Sequence, residues 1–364
     1  MDLSAMEQYW IWLSGVEGIG VKRFYRLLSE YGDARNVWDS VGDPGMAFLG
    51  NRALENLRAA RSEAHFFRVF SELERLHIRP IPRISDRYPA SLHEIFDPPA
   101  TLYVRGDADL SAERMFAIVG TRRATRDGKR AAQEFARTLA LEGATIVSGF
   151  ARGVDTAAHE GALEGNSPTI AVLGSGADVI YPPENAPLAE RILENGGAIL
   201  SEYPPGTTPQ PGNFPQRNRI ISGLSQGVLL VEGAENSGAM ITVNLAMEQG
   251  RDVFAVPGSI YSPLSAAPNR LIQIGASPAL SGWDILEHYR WASRPAKSAA
   301  PTPLPELDDE ERMLVSALRE QELSFDELCA LGKFPAAKLN SLLTMLVLRG
   351  IIVKAPGGLY RAYQ

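Results

Sequence analysis

The chain has 364 residues, 45% hydrophobic and 22% charged, an ordinary composition for a soluble globular protein of about two or three domains. A net charge of -7 and a pI near 5.4 exclude a globally basic nucleic-acid binder, but not a local basic groove on an acidic body. One cysteine, Cys329, excludes an intramolecular disulfide and a cysteine-cluster metal site, and its neighbours Leu328, Ala330 and Leu331 mark it as a buried core thiol.

The opening residues, M-D-L-S-A-M-E, carry acids and no cationic stretch, so they are not read as a signal peptide. No apolar run approaches bilayer-spanning length. The expectation is a cytoplasmic protein with no membrane partner.

Residues 1–78 read as helical. Val16-Glu17-Gly18-Ile19-Gly20 separates two apolar periodic stretches, Tyr9–Leu13 and Phe24–Leu28. The turn resembles a helix-hairpin-helix, whose free N–H groups meet phosphate, though a plain helix-turn-helix packing module is the favoured reading. Ala53–Leu76 reads as a further helical stretch with apolar positions at Leu54, Leu57, Phe66, Phe67, Phe70 and Leu73. Residues 79–114 are punctuated by proline and read as an extended connector leading into the next domain.

From Met115 the rhythm is strand, turn, helix. Apolar runs at Phe116–Val119, Thr145–Val147, Thr169–Leu173, Ala198–Leu200, Val228–Val231 and Val253–Val256 alternate with helical stretches at Lys129–Leu141, Val154–Leu163, Leu188–Leu193 and Met240–Met247. Continuous apolar strands alternating with helices predict an α/β fold, a parallel sheet covered by helices on both faces. Ligands of such sheets bind at the carboxyl ends of the strands.

Those ends carry a consistent chemistry. The first strand is followed by Gly120, Thr121, Arg122 and Arg123, and Gly120–Arg130 holds five bases against one acid, Asp127. After the second come Ser148, Gly149, Arg152 and Gly153, and after the fourth comes Ser201. Gly212–Ser222, G-N-F-P-Q-R-N-R-I-I-S, reads as a loop presenting Phe214, Arg217, Asn218 and Arg219 before the fifth strand, which ends towards Ser237 and Gly238. Guanidiniums beside an aromatic ring suit a phosphate chain with stackable bases. Taken alone, the loop is also compatible with arginines paired to nearby acids. Helix N-termini are expected to add N–H groups to the same rim.

Two enzyme signatures fail. Gly174-Ser175-Gly176 follows a strand, but Val179 breaks G-x-G-x-x-G, and no G-x-x-x-x-G-K-[ST] occurs. Asp155 and His159, four apart on one helix, have the spacing to share a proton, yet no serine or cysteine nucleophile accompanies them. The expectation is a non-enzymatic protein without cofactor or metal.

Residues 291–305 are rich in proline, alanine and serine and read as a linker. Residues 306–364 offer three helices and a hairpin closed through Pro356-Gly357-Gly358, which is a winged helix. It holds seven bases against nine acids, with only Lys338 and Arg349 on the third helix, so protein contact is as compatible as duplex reading.

Several motifs together resemble the DNA-processing protein A (DprA/Smf) family. They are V-G-T-R-R at Val119–Arg123, S-G-F-A-R-G-V-D-T-A-A-H at Ser148–His159, Y-P-P-E-N at Tyr181–Asn185 and S-E-Y-P-P-G at Ser201–Gly206. F-P-Q-R-N-R-I-I-S-G-L-S at Phe214–Ser225, E-N-S-G-A-M-I-T at Glu235–Thr242 and F-A-V-P-G at Phe254–Gly258 complete them. The resemblance implies an extended Rossmann-like domain at 79–290, preceded by a small helical SAM-like domain at 1–78 and followed by a winged-helix domain at 306–364. It further implies a homodimer that binds single-stranded DNA during natural transformation, protects incoming strands and helps load the RecA recombinase. Arg122 matches the family's phosphate-binding arginine, and Phe214, Arg217 and Arg219 match its basic, aromatic loop. Ala186 stands where family members often carry lysine after Y-P-x-x-N, which puts a strand contact there in doubt. The runner-up is a nucleoside-monophosphate phosphoribohydrolase of the lysine-decarboxylase-like family. Its P-G-G-x-G-T-x-x-E is replaced here by E-G-A-E-N-S-G-A-M.

Overall fold

A computed structural model describes residues 3–293, 307–355 and 358–362. The chain divides into two compact units, Met1–Arg294 and Pro295–Gln364. Most of the linker expected at 291–305, and two residues of the hairpin turn, Pro356 and Gly357, lie outside the described residues.

The first unit opens with helices α1 (Ala5–Ser14), α2 (Val21–Tyr31), α3 (Ala34–Asp39), α4 (Asn51–Ala60) and α5 (Glu63–Arg75). The stretch expected to be one helix over Ala53–Leu76 is therefore two, because Ser62 leaves the helix and caps α5 by accepting from His65 N at 3.2 Å. The helices enclose an aromatic core of Trp10, Trp12 and Phe24, partly covered by Trp38 and Phe66. Trp10 Nε1 donates to Ala100 O at 2.6 Å, and Ser14 Oγ bonds Thr101 Oγ1 at 2.7 Å, tying them to the sheet.

The sheet follows: β1 (Ile78–Pro82), α6 (Ala90–His93), β2 (Thr101–Gly106), β3 (Met115–Val119), α7 (Arg126–Leu141), β4 (Thr145–Ser148) and α8 (Val154–Glu164). Next come β5 (Thr169–Leu173), α9 (Ala186–Glu194), β6 (Ala198–Ser201), α10 (Asn213–Leu224) and β7 (Gly227–Leu230). The unit closes with α11 (Gly238–Glu248), β8 (Asp252–Ala255), α12 (Ala266–Gln273), β9 (Ser277–Pro278) and α13 (Gly282–His288). The nine strands run in the order β1-β2-β6-β5-β4-β3-β7-β8-β9. All neighbours from β6 to β9 are parallel. The expected connector contributes two strands of its own: β1 pairs antiparallel with β2, and β2 with β6. Pro80 and Pro82 lie on the outermost strand, β1, where a missing N–H is tolerated.

Alternation along the central strands sends neighbouring side chains to opposite faces. Ala117 and Val119 pack with Ile220, Ile221 and Leu224 of α10, Val243 of α11 and Leu271 of α12. Phe116 and Ile118 pack on the other face with Phe135 and Leu139 of α7, Ala158 of α8 and Ile285 of α13. Both faces being dry, the strand ends are the open places of the sheet.

The second unit holds α14 (Asp309–Glu320), β10 (Leu323–Ser324), α15 (Phe325–Gly332), α16 (Ala336–Leu348), β11 (Ile352–Lys354) and β12 (Leu359–Ala362). Its three-stranded antiparallel sheet, ordered β10-β12-β11, completes the winged helix. Cys329 is half-buried at the margin of this core rather than sealed inside it.

Candidate nucleic-acid interface

A pocket of 650 Å³ opens at the carboxyl end of β3, between α10 and the N-terminus of α11. Gly120, Thr121, Arg122 and Arg123 form one wall, and Phe214, Arg217 and Asn218 another. Ser237 and Gly238 form a third. Gly149 and Arg152 line an adjoining recess that shares Arg122, Phe214 and Arg217. Of the remaining residues singled out in the sequence, Ser148, Gly153, Ser201 and Arg219 line neither cavity. Ser148 Oγ donates to Ile118 O at 2.6 Å and Ser201 Oγ to Ser175 O at 2.6 Å, so both hydroxyls hold the turns behind the wall.

The stretch expected to be a loop, Gly212–Ser222, is mostly helix α10. Pro215 does not oppose this, because it sits in the first turn, where N–H groups lack intrahelical partners. The helix turns its arginines inward. Arg217 and Arg219 are buried instead of presented on a loop. Arg219 donates to Glu202 Oε1 at 2.7 Å and Oε2 at 2.6 Å, and to Asp97 O at 2.7 Å. Burial lowers the Arg219 pKa, but the hydrogen bonds and charge of Glu202 outweigh it, and the guanidinium stays above its ordinary value. Arg219 is a structural ion pair, the second of the two readings open at the sequence level.

Arg217 forms the floor. It donates to Val172 O and, through Nε, to Asn218 Oδ1 at 3.1 Å. A Cβ on Gly149 would lie 2.6 Å from Arg217 Nη2 and 2.7 Å from Asp155 Oδ2, so only glycine lets the turn pass this buried charge cluster. Burial pulls Arg217 down to about 10, partly offset by Asp155. Burial pushes Asp155 up to about 6 against the opposing pull of Arg217, Ala151 N–H and Arg122.

The exposed charge lies one layer out. Arg122 and Arg123 are exposed and make no ion pair among the described residues, and the Arg122 guanidinium sits 5.2 Å from the centre of the Phe214 ring. Phe214 is half-buried, leaning on Tyr181 at 5.7 Å. Tyr181 was missed as a site residue, although the Y-P-P-E-N motif containing it was visible. Arg152 is ion-paired to Glu184, which must be displaced before Arg152 grips an anion.

The helix N-termini divide. At α7, Thr125 caps Gly128 N at 2.9 Å, and Glu232 accepts from Thr125 N at 2.8 Å, so that end is already satisfied. The N-termini of α10 and α11 have no side-chain cap and border the pocket through Pro211, Phe214, Ser237 and Gly238. The Ser237 hydroxyl is buried without a hydrogen-bond partner among the described residues. Uncapped N–H groups, a free hydroxyl and unpaired guanidiniums around one pocket favour an anion.

Asp155 and His159 do not share a proton. His159 Nδ1 bonds Thr169 Oγ1 at 2.8 Å, while Asp155 Oδ2 accepts from Ala151 N at 3.2 Å. Burial pulls His159 down to about 3. The two shifts act oppositely on stability. Asp155 contributes stability below its ordinary 3.8 that is lost as pH rises through about 6. His159 contributes stability above its ordinary 6.5 that is lost as pH falls through about 3. From 3.8 to about 6 the two nearly cancel. Asp155→Asn leaves His159 unopposed. The unfolding free energy of this variant relative to the native chain is then expected to fall by about 1.4 kcal/mol per pH unit on acidification through that window. Urea titrations at stepped pH read this, and a pH-independent difference would return Asp155 to an ordinary carboxylate.

A parallel sheet whose carboxyl edge gathers an aromatic ring, open helix ends and guanidiniums without an ion pair among the described residues is the class of α/β protein whose strand ends suit a phosphate chain. The sequence model of DNA recombination-mediator protein A matches residues 80–290, and that of the DprA winged helix domain matches 298–358. The chain belongs to the DNA recombination-mediator protein A (DprA/Smf) family. It is 45% identical over 221 residues to the DNA processing protein DprA of Bacillus subtilis, covering 60% of this chain and 74% of that one. The structure of DprA from Streptococcus pneumoniae superposes with a TM-score of 0.64 at 36% identity, covering 79% of this chain and 98% of that one. DNA processing protein A from Helicobacter pylori, described in a single-stranded DNA binding mode, gives 0.53 at 33% identity, covering 59% and 97%. Among the described residues no helix is long and apolar enough to cross a membrane, and no histidine, cysteine or carboxylate cluster is placed to hold a metal.

Proposed function

We propose that this chain binds single-stranded DNA in the pocket between β3, α10 and α11. The observation that carries the reading is Arg122, exposed, without an ion pair among the described residues and lying over the Phe214 ring at the pocket mouth. In this assignment Gly120, Thr121, Arg122, Arg123, Ser237 and Gly238 meet phosphates, and Phe214 meets a base. Arg217 and Asn218 supply the buried floor, Gly149 and Arg152 extend the site, and Ser148, Gly153 and Ser201 hold its turns. Such contacts carry little base information, so binding is sequence-tolerant.

Family membership supports a role in natural transformation; in this reading the chain protects incoming strands and helps load RecA in the cytoplasm, without catalysis of its own. In this reading the homodimer uses the apolar segment 264–280; of its candidate contacts Leu271 is buried in the core with Ile272 packed against it, so the surface rests on Ile274 and on Leu280, 56% and 78% exposed at the β9 end of the sheet. The phosphoribohydrolase reading has less support. Its glycine pair and terminal acid are missing after β7, and Asp155, in the pocket lining, and His159, buried behind it, are bonded to separate partners.

A competition of single-stranded against duplex DNA of equal length, beside a nucleotide-hydrolysis assay, tests the proposal. Clear preference for the single strand without turnover is expected. Equal affinity for duplex, or hydrolysis of a nucleoside monophosphate, would refute it.

A further inference from the structure

Ile260 and Tyr261 are 82% and 89% exposed, side by side in the turn between β8 and α12. The turn is well held. Gly258 N donates to Asn269 Oδ1 at 3.1 Å, and Asn269 Nδ2 returns a bond to Gly258 O at 3.0 Å. Tyr261 N donates to Ser259 Oγ at 3.3 Å and Ser262 N to Ser259 O at 3.0 Å. An ordered backbone therefore presents the ring to solvent, and the ring fills no core.

Its position connects it to the pocket. Gly233 N donates to Leu264 O at 2.7 Å, and Ala267 N to Gly233 O at 3.2 Å, so the segment after the turn docks on the turn after β7. That turn in its own right receives Thr121 N on Glu232 O at 2.8 Å. Strands β3, β7 and β8 are consecutive in the sheet, so the end of β3, which leads to Arg122, and the end of β8, which leads to Tyr261, lie roughly 10 Å apart, two strand spacings. No residue of P-G-S-I-Y-S at 257–262 is charged, which leaves nothing there to grip a phosphate.

We propose that Tyr261 is a second base-stacking platform of the single-strand site. A strand seated on Arg122 and Phe214 crosses the Glu232–Gly233 turn and lays a later base on the Tyr261 ring. The inference rests on the single-strand reading above, and it adds a contact that depends on strand length and not on salt. An unpaired base offers the π face the ring needs, and a duplex does not.

Fluorescence anisotropy on the full chain with oligothymidylates of increasing length tests it. Tyr261→Ala should bind the shortest competent strand like the native chain and longer strands about tenfold more weakly. Its slope of log affinity against log salt should be unchanged, because no phosphate contact is lost. Tyr261→Phe should bind every length like the native chain, and neither variant should alter the melting temperature. Equal affinity of Tyr261→Ala and the native chain at every length overturns the proposal, as does an equal loss on the shortest strand. Arg122→Ala serves as control, expected to weaken every length alike. If the native chain binds no strand, the single-strand reading falls and Tyr261 with it; if it binds and Tyr261→Ala shows no length dependence, only the stacking assignment falls.

Discussion

Arg219→Ala is expected to lower the melting temperature by roughly 10 °C. The change strands Glu202, whose side chain is 9% exposed and whose two oxygens both accept from Arg219. Removing one partner of a buried pair costs about 3–5 kcal/mol, since the remaining charge stays desolvated. Spread over the unfolding entropy of a large domain, each kcal/mol moves the midpoint by about 2–4 °C. The salt slope of DNA binding should not change, because Arg219 does not line the pocket. Differential scanning calorimetry with a salt titration separates the roles. An unaltered midpoint with a slope reduced by about 0.7 would make Arg219 a phosphate ligand after all.

Phe214→Ala should weaken single-strand binding by about 1–3 kcal/mol, the cost of one lost base stack. The ring also supports Arg122 at 5.2 Å and leans on Tyr181, so truncation frees the guanidinium as well as removing the stack. The Phe214→Ala and Arg122→Ala losses should therefore add to more than the loss of the double variant. The coupling should be of order 0.5–1 kcal/mol, typical of an exposed cation–π contact. Strictly additive losses would mean that ring and guanidinium act separately. A ring serving only as packing would instead reduce stability with affinity intact.

The sheet was largely legible in the sequence, because buried parallel strands are continuous apolar runs and β3, β4, β5 and β6 each end at a glycine or serine that turns the chain. Thr169–Leu173 falls where the run predicted it. Two kinds of element were hidden. Strands β1 and β2 lie in a proline-rich stretch, and β2 joins the sheet only through β6, far away in sequence. Helix α10 was masked by its glycine and proline lead-in and by its contents. Its buried residues include Arg217, Asn218, Arg219 and Ser222, so hydrophobic periodicity does not trace its inner face.

The same distinction governs the site. The turns after β3 and β4 were legible as glycine-and-arginine signals. Which guanidiniums remain free was not, because that is decided by acids brought in from afar. Glu202 and Asp97 take Arg219, Glu184 takes Arg152, and Asp155 lies beside Arg217. Arg122 and Arg123 have no such partner among the described residues.

Arg122 is thus the hinge of the functional assignment, and its salt dependence tests it most directly. Affinity for one oligothymidylate should be measured across a series of salt concentrations for the native chain and for Arg122→Ala. The variant is expected to bind more weakly at every salt concentration, with the magnitude of its slope of log affinity against log salt smaller by about 0.7, one phosphate contact on a single strand. An identical slope with unchanged affinity would contradict the assignment and leave the pocket without its proposed ligand.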